Sequence, residues 1–149
     1  MTASVKIVSK AIIQKSSSPI SNLKLQKLLY YAQGWSLALN DRPAFYERIE
    51  AWVHGPVVPA AFYEYRHFGW NPIEVPSDEI SLTDDEVTHV EAVLNAYGEF
   101  TATQLELLSH DESPWRIARG TLDQKEPSKA EITLASMKEF FSKLADAQG

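Results

Sequence analysis

Residues 23–39, LKLQKLLYYAQGWSLAL, and the segment IEAWVHGPVVP at 49–59 are the stretches around which the rest of the chain is organised. Leu25, Leu28, Leu29, Ala32 and Leu39 recur at three- and four-residue steps, the spacing of one side of an α-helix, and predict a central, mostly buried helix. Tyr30, Tyr31, Trp35 and Leu37 widen its apolar surface beyond one stripe, so neighbours are expected on several sides. Its few polar residues can meet one another. Lys24 and Lys27 share one edge, and Gln26, Tyr30 and Gln33 share another.

Upstream, Val5, Val8 and Ile12 predict an amphipathic helix over 4–15, broken by Ser16-Ser17-Ser18-Pro19, after which Ser21 or Asn22 caps the central helix. Downstream, Asn40-Asp41-Arg42-Pro43 reads as a turn. Ile49, Ala51 and Val53 alternate with Glu50, Trp52 and His54, the pattern of a short strand, and Gly55-Pro56 is expected to turn the chain. Pro59 opens an aromatic helix over about 59–68 that Gly69 closes, and a proline-containing connection occupies 71–81. Thr83-x-x-Glu86 and Thr101-x-x-Gln104 are capping boxes, each starting a helix. Ser113-Pro114 starts another, stopped by Gly120, and a last helix begins between Lys129 and Leu134 with Met137, Phe140, Phe141 and Leu144 inside. The fold expected is mainly α: one compact helical bundle over 1–149, with a small extended or hairpin element near 44–58.

The chain has 149 residues, a length that buries roughly two-thirds of the surface exposed when unfolded. It contains no cysteine, which removes disulfides, thiolate metal sites and cysteine nucleophiles, and suits a reducing cytoplasm. Lysines interrupt the N-terminal apolar residues, so no signal peptide is expected, and no apolar run is long enough to span a membrane. The net charge of −6 opposes an extended phosphate-binding surface, and DNA is not the expected partner.

Catalytic signatures are sparse. No G-x-S-x-G elbow occurs, and the six glycines form no phosphate cradle. Glu50 and His54 stand four apart and, on a strand, share a face, and His110, Asp111 and Glu112 cluster later; the Glu50 and His54 pair is what suggests a metal-dependent hydrolase as the alternative. The aromatic content points elsewhere. Trp52 and Tyr63 flank a loop that Pro56 and Pro59 stiffen, and a stiff loop loses little entropy on binding. Trp52, His54, Pro56, Tyr63 and Arg66, followed by Lys24 and Lys27, are the residues expected to contact a partner.

The run from Leu23 to Leu39, the proline-containing turn, and IEAWVHGPVVPAAFYEYRHFG together resemble the Panacea domain, the SocA-like antitoxin domain formerly described as a phage-associated protein family. Leu25, Gln26, Lys27, Leu28, Leu29, Tyr30, Gln33, Glu50, Ala51, Trp52, Gly55, Pro56, Val57 and Tyr65 carry the resemblance, and HDESPWRIAR with Met137 and Phe140-Phe141 extends it less specifically. The resemblance implies a non-enzymatic bacterial or phage antitoxin, needing no cofactor or metal, that binds and neutralises a cognate protein toxin. It also implies that members pair with unrelated toxins. An alternative within the resemblance is an adaptor that presents the toxin to an ATP-dependent protease.

Overall fold

Two hydroxyl caps start the first helices: Ser4 accepts the Ile7 N–H to open α1 (Val5–Lys15), and Ser21 accepts the Lys24 N–H to open α2 (Asn22–Asn40). A computed structural model describes residues 2–148. After α2 come β1 (Ile49–Trp52), β2 (Gly55–Val57), and α3 (Pro59–Tyr65) with a 3-10 turn at Arg66–Phe68. Then follow α4 (Asp84–Tyr97), α5 (Ala102–His110), α6 (Ser113–Arg119), β3 (Glu131–Ile132) and α7 (Leu134–Gln148). The expected class holds: a mainly helical chain with one small antiparallel sheet of order β2-β1-β3.

The central helix is enclosed on every side. Leu25, Leu28, Leu29, Tyr30, Tyr31 and Ala32 have no exposed surface. Val5, Val8 and Ile12 of α1, Val90, Val93 and Tyr97 of α4, Leu105 of α5 and Met137 and Phe141 of α7 complete the same core. A helix surrounded in this way cannot turn all its polar groups to solvent, and several are paired inside. Gln33 donates to the Phe45 carbonyl at 2.8 Å and accepts the Ala44 N–H at 2.8 Å. Tyr30 donates to Glu112 Oε1 at 2.9 Å, and the half-buried Trp35 indole donates to the Tyr97 hydroxyl at 2.8 Å. Asp41 ends α2 in the left-handed region, φ 55°, and its carboxylate receives the Lys138 ammonium of α7.

Three expectations are corrected and one element is added. Leu39 is 63% exposed, because the last turn of α2 runs past its neighbours. The hairpin turns at Val53 and His54, while Gly55 and Pro56 belong to β2, with Trp52 opposite Gly55 and Glu50 opposite Val57. A short strand, β3, precedes the last helix: Ile49 pairs with Ile132 and Glu50 with Glu131. The last helix starts within its expected bounds, at Leu134, where the Thr133 hydroxyl accepts the Ser136 N–H. Two residues are too few for strand periodicity to register, which is why β3 is silent in the sequence. Finally, α6 begins one residue earlier than proline at its first position would place it, with Glu112 as the cap.

Gly34 shows how closely α2 and α7 pack. A Cβ at this position would overlap the Phe141 ring, whose edges also meet Tyr30, Tyr31 and Trp35 at centroid distances of 5.6, 6.0 and 5.3 Å. Alanine normally favours a helix over glycine by about 1 kcal/mol. Here Gly34→Ala is expected to destabilise by about 1–3 kcal/mol, since overpacking outweighs propensity. Chemical denaturation measures this, and combining it with Phe141→Leu should cost less than the sum of the two single changes. A neutral or stabilising Gly34→Ala would show that α7 is free to shift.

Candidate functional site

The β1–β2 hairpin is held by its backbone and leaves side chains free. Ile49 and Ala51 face the core, and the alternation places Glu50 and Trp52 on the opposite face. From below, Lys27 of α2, wholly buried, donates to the Pro56 carbonyl at 3.0 Å. Gly55 makes that possible. Its φ of +103° suits glycine, and a Cβ there would lie 2.8 Å from Lys27 Cε and 3.1 Å from Ser109 Oγ. Gln26 Oε1 accepts the Val58 N–H at 2.9 Å, its amide donates to Asn22 at 2.8 Å, and Asn22 donates to the Phe62 carbonyl at 3.0 Å, so α2 also fastens the start of α3.

From the side, α6 grips β1. The Trp115 indole donates to the Trp52 carbonyl at 2.9 Å, and Arg119 donates to the Ala51 carbonyl at 3.0 Å. The Arg119 guanidinium lies 4.7 Å from the Trp115 ring centroid, and the His110 ring stacks on Trp115 at 4.0 Å. The Trp52 backbone is thus used inward while its ring stands outward. The Trp52 indole N–H donates to Glu50 Oε1 at 2.8 Å, and Glu50 Oε2 meets Arg48 at 3.1 Å, which fixes the ring's orientation.

That ring forms part of an apolar groove of about 480 Å³, walled by Leu23, Trp52, Val53, Phe62 and Trp70, with Arg66 and Lys129 at its sides. Phe62 meets Trp52 edge-on at 5.0 Å, Tyr63 packs on Phe62 at 5.5 Å, and Arg66 covers the Tyr63 ring at 5.3 Å. Trp70 is 83% exposed, the most open of the large apolar side chains among the described residues.

The structure therefore divides the seven residues expected at a contact surface. Trp52, His54 and Arg66 line the groove, and the exposed Tyr63 adjoins it. Pro56 and Lys27 lie inside, holding the hairpin down. Lys24 is half-buried elsewhere, its ammonium donating to the Gly98 carbonyl at 2.6 Å. Trp70, Leu23 and Lys129 line the groove without having been singled out. A tryptophan just past a helix-closing glycine was the available signal for Trp70; Lys129, distant in sequence, offered none. Glu50 and His54 do not converge on a shared point. Glu50 serves Trp52 and Arg48, His54 faces Glu106 Oε2 at 3.3 Å, and no group of three or more metal-ligating side chains occurs among the described residues.

Burial sets the charge states beneath the hairpin. Desolvation lowers the Lys27 pKa to about 7, against the pull of the Glu106 carboxylate. Farther along the same face of α2, desolvation raises the Glu112 pKa to about 7, although the Tyr30 and Tyr31 hydroxyls oppose the shift and Asp111 adds to it. His110 is lowered by burial in the same region.

The family model described as antitoxin SocA-like, Panacea domain, matches residues 25–116, which run from α2 through the hairpin and α5 into α6. Antitoxin SocA of Caulobacter vibrioides (strain NA1000 / CB15N) is 33% identical over 131 residues, covering 75% of this chain and 68% of its own. No solved structure matches the chain. Among the described residues, no helix is long and apolar enough to cross a membrane.

The two buried groups predict an unusual pH dependence of stability. Between pH 4.5 and about 7 the folded state holds the Glu112 proton more tightly than the unfolded chain, so this contribution falls as pH rises. Between about 7 and 10.5 the unfolded chain holds the Lys27 proton more tightly, so this contribution grows as pH rises. Each slope is at most ~1.4 kcal/mol per pH unit, and the combined contribution is least near neutrality. Glu112→Gln should flatten the acidic limb and Lys27→Met the alkaline one in unfolding experiments across pH. Limbs unaffected by these substitutions would mean that other groups set them.

Proposed function

Because the chain belongs to the antitoxin SocA-like, Panacea domain family, we propose that it is an antitoxin that neutralises a cognate protein toxin by direct contact through the groove beside the hairpin. The observation that carries the contact is the placement of Trp52. Its backbone is clamped by Trp115 and its ring is oriented by Glu50, yet the ring lies beside Phe62 and Trp70 on an open apolar wall. Aromatic anchors in rigid, partly enclosed settings supply most of the energy of protein interfaces, and ordering them beforehand reduces the entropy lost on association. The whole chain serves as one binding unit, working in the cytoplasm without a metal or cofactor. Its chemistry is recognition, not catalysis.

Co-expression with the product of the neighbouring reading frame tests this reading. Growth arrest by that product, relieved by this protein with recovery of a stable complex, is the expected result. Trp52→Ala and Trp70→Ala should each weaken the complex by on the order of 2 kcal/mol, with cooperative unfolding retained because neither ring is enclosed. Full affinity in the doubly substituted protein would remove the groove from the interface. Relief of toxicity that requires an ATP-dependent protease, with the toxin degraded, would assign the adaptor role instead.

A further inference from the structure

The groove departs from the charge character of the chain. Aspartate and glutamate outnumber lysine and arginine 20 to 14 overall, yet no carboxylate lines the groove, whose two cationic side chains are Arg66 and Lys129. They come from different elements, Arg66 from the 3-10 turn after α3 and Lys129 from the segment leading into β3. Both are exposed, and neither enters an ion pair among the described residues, whereas Arg48, Arg116 and Lys138 all do. The same groove is lined by Trp52, Phe62, Trp70, Leu23 and Val53. The remaining titratable wall residue, His54, is directed to Glu106.

Several occupants fail on this pattern. A nucleic-acid strand requires a train of cations along its backbone, and two on a chain of net charge −6 do not provide one. An anionic membrane surface calls for clusters of about 4–8 basic residues. A protein segment with a large apolar side chain and nearby carboxylates meets both demands at once. The apolar group covers the tryptophan wall, and the carboxylates meet a lysine and an arginine that have no ion-pair partner among the described residues, the arginine lying over the Tyr63 ring.

We propose that the groove selects a partner segment in which a large apolar side chain is flanked by carboxylates. Assigning that segment to the toxin rests on the antitoxin reading; the selectivity itself is a property of this chain and is testable without the toxin.

The probes are fluorescein-labelled peptides with a Leu-Trp core flanked by glutamates, the same core flanked by lysines, and glutamate flanks around an Ala-Ala core, titrated with the full chain at low ionic strength. The glutamate-flanked Leu-Trp peptide should bind about tenfold more tightly than its lysine-flanked counterpart, with the difference narrowing as salt is added. Arg66→Glu combined with Lys129→Glu should reverse the preference, and Trp70→Ala should weaken both Leu-Trp peptides. Both charge substitutions are at exposed side chains, and circular dichroism verifies that the fold is retained. Failure of the glutamate-flanked peptide to bind, equal binding of the two Leu-Trp peptides, or a preference unchanged by the double substitution overturns the proposal. Tighter binding of a single-stranded oligothymidylate than of any peptide does so as well. The two readings fail separately: a charge preference without toxin neutralisation leaves the selectivity standing and removes the antitoxin, while neutralisation without a charge preference does the reverse.

Discussion

A lysine without any exposed surface lies under the hairpin, and the shape of the face that carries the groove follows from it. Lys27 has one protein acceptor, the Pro56 carbonyl, and proline at that position has no N–H of its own to compete for a partner. For the aliphatic stem to reach that carbonyl, β2 must come close to α2, and Gly55 is the residue that lets it do so. Burying an ammonium costs several kcal/mol unless it is paired or neutralised. The depressed Lys27 pKa reflects that cost, and Glu106 and the Pro56 carbonyl offset part of it. Removing only the side chain would leave the carbonyl unpaired and a channel between α2 and β2. The hairpin is therefore fixed in position by a polar contact inside the protein, not by a long β-ladder.

Clamping by the backbone explains why so few strand residues suffice. β1 has four residues and β2 three, less than an isolated hairpin needs for stability in water. Carbonyls of Ala51, Trp52 and Pro56 are taken by Arg119, Trp115 and Lys27, donors from two helices on different sides. On the hairpin every one of these bonds is accepted by a main-chain carbonyl, so the strands' outward side chains are not used in holding it. Inside and outside are set by different atoms of the same residues. The outer face can vary in shape and charge while the inner clamp stays as it is.

How much of this is legible in the sequence depends on the range of the contact. The central helix, its burial and the capping boxes at Thr83 and Thr101 are legible because apolar spacing and cap chemistry are local. Trp52 stands out beside its proline turn for the same reason. Lys27 does not. A lysine in a helix reads as solvated, and only Gly55 and Pro56, nearly thirty residues away, supply a reason to bury it. Lys129 reads equally as a solvated charge, and it reaches the groove only because β3 pairs with β1, a contact two residues long. The turn falls at Val53-His54 because Gly55 must approach Lys27, a long-range demand that overrides the local turn preference of Gly-Pro.

The residues that carry the family resemblance are, with few exceptions, buried in the core or beneath the hairpin. Leu25, Gln26, Lys27, Leu28, Leu29, Tyr30, Gln33, Ala51, Gly55, Pro56 and Val57 are all buried; only Glu50, Trp52 and Tyr65 reach partly to solvent. Leu23, His54, Phe62, Arg66, Trp70 and Lys129, which complete the groove, lie outside that pattern. A signature made mostly of buried residues describes the central helix and the hairpin held against it, and the side chains that complete the groove are set apart from it.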